Sequence, residues 1–427
     1  MTLRYVVLFG ALFALIVGVG VLMGLPFTLR LLVEAFAFAL IAMGLNIQWG
    51  FGGLFNFGVL GMLMVGGFAV TFMSYPINEA FWISDGPIML GQTLIAAAIG
   101  AVLIVLAHKA HRVGVTGKLR AAGIVLAWFV AYIIFRSQMD PAASYILSEA
   151  GWVGGLGLPV ILGWALGGAL AAFIAFFVGK ISLGLRTDYL AIATIGIAEI
   201  VRATIRNTEW LTRGTLTVSP IPWPVPTPQA WQLWGATTSD SFIYARAGYL
   251  ALVVALVIVA LFLIHRAYLS PWGRMMRAIR DNHIAAGSMG KDVKARQLEI
   301  FVFGSVLMGI GGAILVSFGS IYDPSSYQPI NHTFIVWVML IVGGAGNNFG
   351  ALFGGLFIYM VWLLSEPLAQ ALFATVSNWS VSMGWHAIPD INARSVQMRV
   401  FVLGLIITLA LRYAPRGLLP EFIRRDQ

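Results

Sequence analysis

The sequence predicts an all-α integral membrane protein, a polytopic bundle of about 10–12 transmembrane helices with discontinuous helices and one short amphipathic helix on the cytoplasmic side. Three observations predict it. Of the 427 residues, 59% are hydrophobic and only 10% are charged, against about 45–50% and 25% in an ordinary soluble domain. Apolar runs recur at the length of roughly 20 residues that a helix needs to cross a bilayer. Lysine and arginine gather in short clusters between those runs, as the positive-inside rule expects.

The first run, Tyr5 to Gly24, follows Arg4. It is longer than the roughly 7–15-residue apolar core of a signal peptide and lacks an Ala-x-Ala site, so a retained first span is expected. Further spans are expected at residues 31–48, 57–75, 88–107, 119–136, 158–179, 188–206, 248–266 and 298–319, then an interrupted stretch at 334–364 and a last span near 399–412. They form a single transmembrane domain, 1–427, with a cytoplasmic loop at about 267–297 and an external loop at about 207–247. The external loop holds Pro220-Ile221-Pro222-Trp223-Pro224-Val225-Pro226, stiff because each proline fixes φ and removes a donor.

Orientation follows from the basic clusters: His108, Lys109, His111, Arg112, Lys118 and Arg120; Lys180 and Arg186; Arg266, Arg274, Arg277, Arg280, Lys291, Lys294 and Arg296; and Arg412, Arg416, Arg424 and Arg425. Counting from a cytoplasmic Arg4 brings all of them to the cytoplasm, with both termini inside. That parity requires the stretch at 334–364 to enter, turn at Gly343-Gly344-Ala345-Gly346 and return as two short helices. A second break is expected at Gly50, Gly52 and Gly53, near Asn46, Gln48 and Asn56. Non-helical backbone at membrane depth survives only within protein or beside a water-filled cavity, and in transporters such breaks border the substrate path. Asn46, Gln48, Gly343, Gly344, Gly346 and Asn347 are therefore candidates for the pathway. Gly163-x-x-x-Gly167 and Gly350-x-x-x-Gly354 read as close helix packing.

Catalytic signals are missing. No G-x-x-x-x-G-K-[ST] occurs, and Gly114-Val115-Thr116-Gly117-Lys118 is too short to be one. Six scattered histidines offer no metal spacing. The absence of cysteine excludes thiol chemistry. A net charge of +9 spread between apolar runs does not suit a nucleic-acid binder. Ionisable residues inside spans are Glu34, Glu199 and Arg202. Glu199 and Arg202 share a helix face, either lining a cavity or gate or forming an internal ion pair. The cytoplasmic loop carries Trp272, Met275, Met276 and Ile279 at i, i+3, i+4 and i+7, one apolar helical face, with Arg274, Arg277 and Arg280 outside it. Insertion into a groove of a partner protein, a position on anionic lipid, or a plain basic loop would each fit. A small-residue turn, Ile284 to Gly290, follows.

At this loop the chain resembles a known family. Arg277-Ala278-Ile279-Arg280-Asp281-Asn282-His283-Ile284-Ala285-Ala286-Gly287-Ser288-Met289-Gly290 is similar to the "EAA" loop of ATP-binding-cassette importer permeases, closest to the branched-chain amino acid permeases of the LivM type. Residues 44–54, 187–196 and 341–351 agree with the same type. The resemblance implies an ABC transporter permease of the bacterial inner membrane, a transport subunit and not an enzyme. It holds no cofactor itself, with ATP and Mg on two cytoplasmic ATPase subunits. A LivH-type permease subunit and a periplasmic solute-binding protein complete the assembly around a small amino-acid substrate. It also implies that Ile279, Ile284, Ala285, Ala286, Gly287 and Gly290 couple to the ATPase in a cytoplasmic coupling helix. His283 stands where the family usually has an acidic residue. Urea or short amides are alternative solutes. An ion-coupled secondary transporter is the alternative class, with Glu34 and Glu199 as its candidate carboxylates.

Overall fold

A computed structural model describes residues 2–110 and 116–421. His111 and Arg112 of the first basic cluster, Gly114 and Val115, and Arg424 and Arg425 of the tail lie outside the described residues. The helices are α1 (Thr2–Met23), α2 (Leu25–Leu45), α3 (Val59–Ser74), α4 (Glu79–Ile83), α5 (Gly86–Lys109), α6 (Gly117–Glu149), α7 (Val160–Ser182), α8 (Thr187–Asn207) and α9 (Glu209–Thr212). They continue with α10 (Pro228–Leu233), α11 (Thr238–Leu269), α12 (Pro271–Asp281), α13 (His283–Ser288), α14 (Val293–Gly319), α15 (Ile335–Gly343), α16 (Asn348–Ser382) and α17 (Ile391–Tyr413). Among the described residues, nine helices are long and apolar enough to cross a membrane, and two apolar helical segments are shorter. α8 lies where a span was expected but carries Asp188, Glu199, Arg202 and Arg206, which leaves it outside the nine.

The centre of the bundle consists of α2, α3, α7, α14, α15 and α16, whose inward residues include Leu40, Met43, Leu63, Ile314 and Met360 at 2% exposure or less. Hydrophobic burial cannot drive this packing inside lipid, so close backbone approach and dispersion must. Gly66 of α3, Gly167 of α7 and Gly309 of α14 meet at one crossing. A Cβ on Gly167 would come within 3.3 Å of both the Gly66 Cα and the Gly309 carbonyl. Gly167 thus packs as its G-x-x-x-G spacing predicts. Gly350 and Gly354 do the same against Gly343 across the α15–α16 turn, where a Cβ on Gly354 would meet the Gly343 Cα at 2.9 Å.

The periphery differs. α1, α5, α6 and α17 expose large apolar side chains such as Val21, Ile95, Phe129 and Phe401. α5 and α6 pack chiefly on each other, through Gly100 and Ala131.

Both expected breaks exist, with corrections to their form. α2 winds into a π-helical turn at Asn46–Phe51 before the non-helical residues 52–58 lead to α3. α15 is preceded by a π-helical turn at Ile330–Phe334. Together these fourteen residues span roughly 20 Å at 1.5 Å per residue, too short for a hydrocarbon core of about 30 Å. The returning helix is not short: α16 runs 35 residues through Pro367. The expected small-residue turn at 284–290 is partly a helix, α13, because the Asn282 side chain caps it by accepting from the Ala285 N–H at 3.0 Å.

Candidate functional site

The two breaks lie some 300 residues apart in the chain and against each other in the structure. Asn46 at the first is fully buried and uses both ends of its amide on the second. Its Nδ2 donates to Asn348 Oδ1 at 3.2 Å, and its Oδ1 accepts from the Gly346 N–H at 2.8 Å. Buried Gln48 donates to the Phe301 carbonyl at 2.7 Å and Ser305 Oγ at 3.0 Å on α14, and accepts from Asn56 Nδ2 at 2.8 Å. Asn56 Oδ1 caps the chain at the Gly58 N–H, 2.7 Å away. The unwound segment also wraps Trp337 of α15, which stacks on Phe57 at 4.5 Å and on Phe55 at 5.5 Å. Its indole donates to the Asn56 carbonyl at 3.2 Å. The side-chain amides of Asn46, Gln48 and Asn56 are thus all engaged within the protein, as buried polar groups beside an interrupted helix require.

Arg280 of α12 joins this pair of breaks to the surface helices. One guanidinium nitrogen donates to the Gly50 carbonyl and pairs with Glu421 at 2.9 Å, while Nε reaches Asp281 at 3.0 Å. Burial works against the Arg280 cation, and the Glu421 and Asp281 carboxylates outweigh it, so its pKa stands above the usual arginine value. Glu421 also accepts from the Tyr268 hydroxyl at 2.9 Å. The tail is pinned nearby: the Leu418 and Leu419 N–H groups donate to the Val342 and Gly343 carbonyls at 2.7 and 2.9 Å. Asn347 Nδ2 reaches the Leu419 carbonyl at 3.0 Å and the Tyr5 hydroxyl at 2.6 Å. The described ends of the chain therefore lie on the same face as α12.

The apolar face of α12 points inward. Met276 and Ile279 are 0% and 1% exposed, and Trp272 and Met275 pack on the core. The stripe that includes Ile279 is thus covered by this chain itself. Ala286 is also buried, whereas Ile284, Ala285, Gly287 and Gly290 are exposed, as is Met289.

The remaining predicted residues fall in different places. Gly346, Asn347 and Asn348 line a cavity of about 270 Å³ with Tyr5, His265 and Tyr268. Glu199 borders a smaller apolar cavity of about 90 Å³ between α3, α8 and the second π-helical turn, beside Leu60, Thr333 and Phe334. Arg202 pairs with Glu199 at 3.2 Å across the i, i+3 spacing, with Glu199 45% exposed. Glu34 is held by Arg30 at 3.2 Å and by the Tyr359 hydroxyl. Among the described residues no cluster of histidine, aspartate or glutamate could hold a metal ion. Sequence reasoning missed Glu421 altogether and saw Arg280 as a basic-cluster and loop residue outside the stripe, not as half of a clamp. A salt bridge 141 residues long in sequence leaves no local periodicity to read.

Comparison with known proteins gives a consistent result. A family model described as "Branched-chain amino acid transport system / permease component" matches residues 27–151 and 141–411. The chain is 27% identical over 266 residues to the high-affinity branched-chain amino acid transport system permease protein LivM of Escherichia coli, covering 60% of this chain and 56% of that protein. The Salmonella typhimurium LivM matches equally, at 27% over 266 residues. A probable LivM of Methanocaldococcus jannaschii is 25% identical over 263 residues, 59% of this chain and 67% of that protein. The matched region thus spans a little over half the length of the first two relatives. No solved structure matches.

Proposed function

The chain belongs to the family of permease components of branched-chain amino acid transport systems, and from that premise we propose that it forms the translocation pathway of an ATP-driven importer for branched-chain or related hydrophobic amino acids. It sits in a bacterial inner membrane with α12, α13 and both termini in the cytoplasm. It acts with a LivH-type permease, two ATPase subunits that carry ATP and Mg, and a periplasmic solute-binding protein. The chain itself performs no chemistry.

The observation that carries this reading is the arrangement around α12 and α13. α13 and the residue after it expose Ile284 and Met289, at 71% and 81%, while the helix before them is seated in the core and clamped by Arg280 to Gly50 of the first break and to Glu421 of the tail that is pinned to the second. An ATPase gripping α13 moves α12 as a rigid lever, and the lever shifts the unwound segments at 46–58 and 343–347 between two discrete arrangements. Docking is therefore assigned to α13 and the turn after it, and the α12 stripe transmits.

Co-purification from native membranes, followed by uptake in vesicles, tests this. A second permease and an ATPase pair are expected with the chain, and leucine uptake is expected to stop when the ATPases are stripped. Uptake that persists without them but collapses with an ionophore would replace this reading by an ion-coupled one. Uptake of urea or short amides in place of leucine would change the solute alone.

A further inference from the structure

A further cavity, of about 140 Å³, opens at the far end of α14 from the α12 lever. Leu63, Leu315, Val316 and Ile321 form its apolar side, and Asp323 and His332 stand on its polar side. It is smaller than the roughly 300–1,000 Å³ of sites that enclose drug-sized ligands, and so suits a small solute. Asp323 is half-buried. Its Oδ1 accepts from the Ser325 N–H at 2.8 Å, and among the described residues no lysine, arginine or histidine pairs with it. Beside it α14 ends at Gly319 with Ser320 in the left-handed conformation. The last carbonyls of that helix carry the negative end of its dipole. A carboxylate without a cation and a helix C-terminus therefore share one small, mostly apolar chamber. His332 stacks on Tyr327 at 4.8 Å and has Nδ1 3.1 Å from the Gln328 carbonyl, which leaves Nε2 for another partner. His332 belongs to the π-helical turn at Ile330–Phe334, whose Thr333 borders the Glu199 cavity.

We propose that this chamber is an entry subsite for a single aliphatic amino acid, in which Asp323 receives the α-ammonium group and the Leu63–Leu315–Val316–Ile321 wall receives the side chain. Occupancy would be felt at the start of α15, because His332 of the π-helical turn that precedes that helix lines the chamber. The inference rests on the reading of the chain as an amino-acid permease.

The test uses the complete transporter in proteoliposomes, with leucine as substrate and two competitors that each keep one half of it. Isopentylamine has the ammonium group and the apolar body; 4-methylpentanoate has the carboxylate and the apolar body. Asp323→Asn is expected to raise the KM for leucine roughly 10- to 100-fold, with maximal ATPase activity and binding-protein affinity unchanged. Isopentylamine should compete in the wild type and lose its effect in Asp323→Asn, while 4-methylpentanoate should compete in neither. Ile321→Phe, which narrows the chamber, should shift preference from leucine towards alanine. A leucine KM within twofold of wild type in Asp323→Asn would overturn the subsite even though transport persists. Competition by sodium alone, with none by isopentylamine, would make it a cation site and equally overturn it. If the wild type moved no amino acid, the proposed solute would fail along with the subsite, which separates the two failures.

Discussion

Breaking the Arg280–Glu421 clamp offers the most direct measure of the lever. The two side chains are 21% and 14% exposed and 2.9 Å apart. An exposed pair contributes about 0.2–1 kcal/mol, and stripping one partner from a fully buried pair costs about 3–5 kcal/mol. Arg280→Gln lies between these limits, at about 1.5–3 kcal/mol, because it also removes the bond to the Gly50 carbonyl and leaves Glu421 with only the Tyr268 hydroxyl. Glu421→Gln should cost less, about 1 kcal/mol, since Arg280 keeps Gly50 and Asp281. At about 1.4 kcal/mol per factor of ten, leucine uptake per ATP hydrolysed should fall roughly 10- to 100-fold in Arg280→Gln and several-fold in Glu421→Gln. The assay is coupled transport and ATPase activity in proteoliposomes for wild type, both single variants and the double variant. The double variant should fall short of the sum of the singles by about 1–2 kcal/mol. Additivity within about 0.5 kcal/mol, or wild-type coupling in both singles, would show that α12 is not tied to the breaks through this pair.

Three further outcomes are expected. Gly346→Ala should abolish correctly folded protein, read as monodisperse yield in detergent, since φ is +83° and the new Cβ would stand 2.8 Å from a Glu421 oxygen; Gly404→Ala on α17, with nothing within 4 Å, should leave yield unchanged. Gly287→Asp should leave the permease folded, because its Cβ meets only Val293 at 3.9 Å, yet cut ATPase recovery in pull-downs more than roughly tenfold by driving an unpaired charge into the docking surface. Glu199→Gln should change leucine uptake by less than about fivefold, because Glu199 is 45% exposed and its pair with Arg202 is weak; loss of uptake together with ionophore sensitivity would instead make Glu199 an ion-coupling carboxylate.

Hydropathy and local pattern determined much of this protein. The apolar run at 298–319 became α14, Val293–Gly319. The glycine clusters at 50–53 and 343–346 became real interruptions, where Gly53, Gly344 and Gly346 take the positive φ that glycine adopts without strain. The i, i+3, i+4, i+7 stripe at 272–279 became α12. All of these depend on residues within a turn or two of one another, so a window of sequence contains the whole cause.

Tertiary structure alone decided how those pieces are used. Periodicity marks α12 as two-faced but cannot say whether protein of the same chain or of a partner covers the apolar face, and here Met276 and Ile279 are buried within the chain. Asn46 and Gln48 are polar residues beside a break in either case; only the fold shows them fully buried, bonded to Gly346, Asn348 and Ser305. The clamp from Arg280 to Gly50 and Glu421 joins three segments that nothing local relates. Such contacts arise because, in a medium without water, each polar group released by an interrupted helix must find its partner wherever the packed helices bring one.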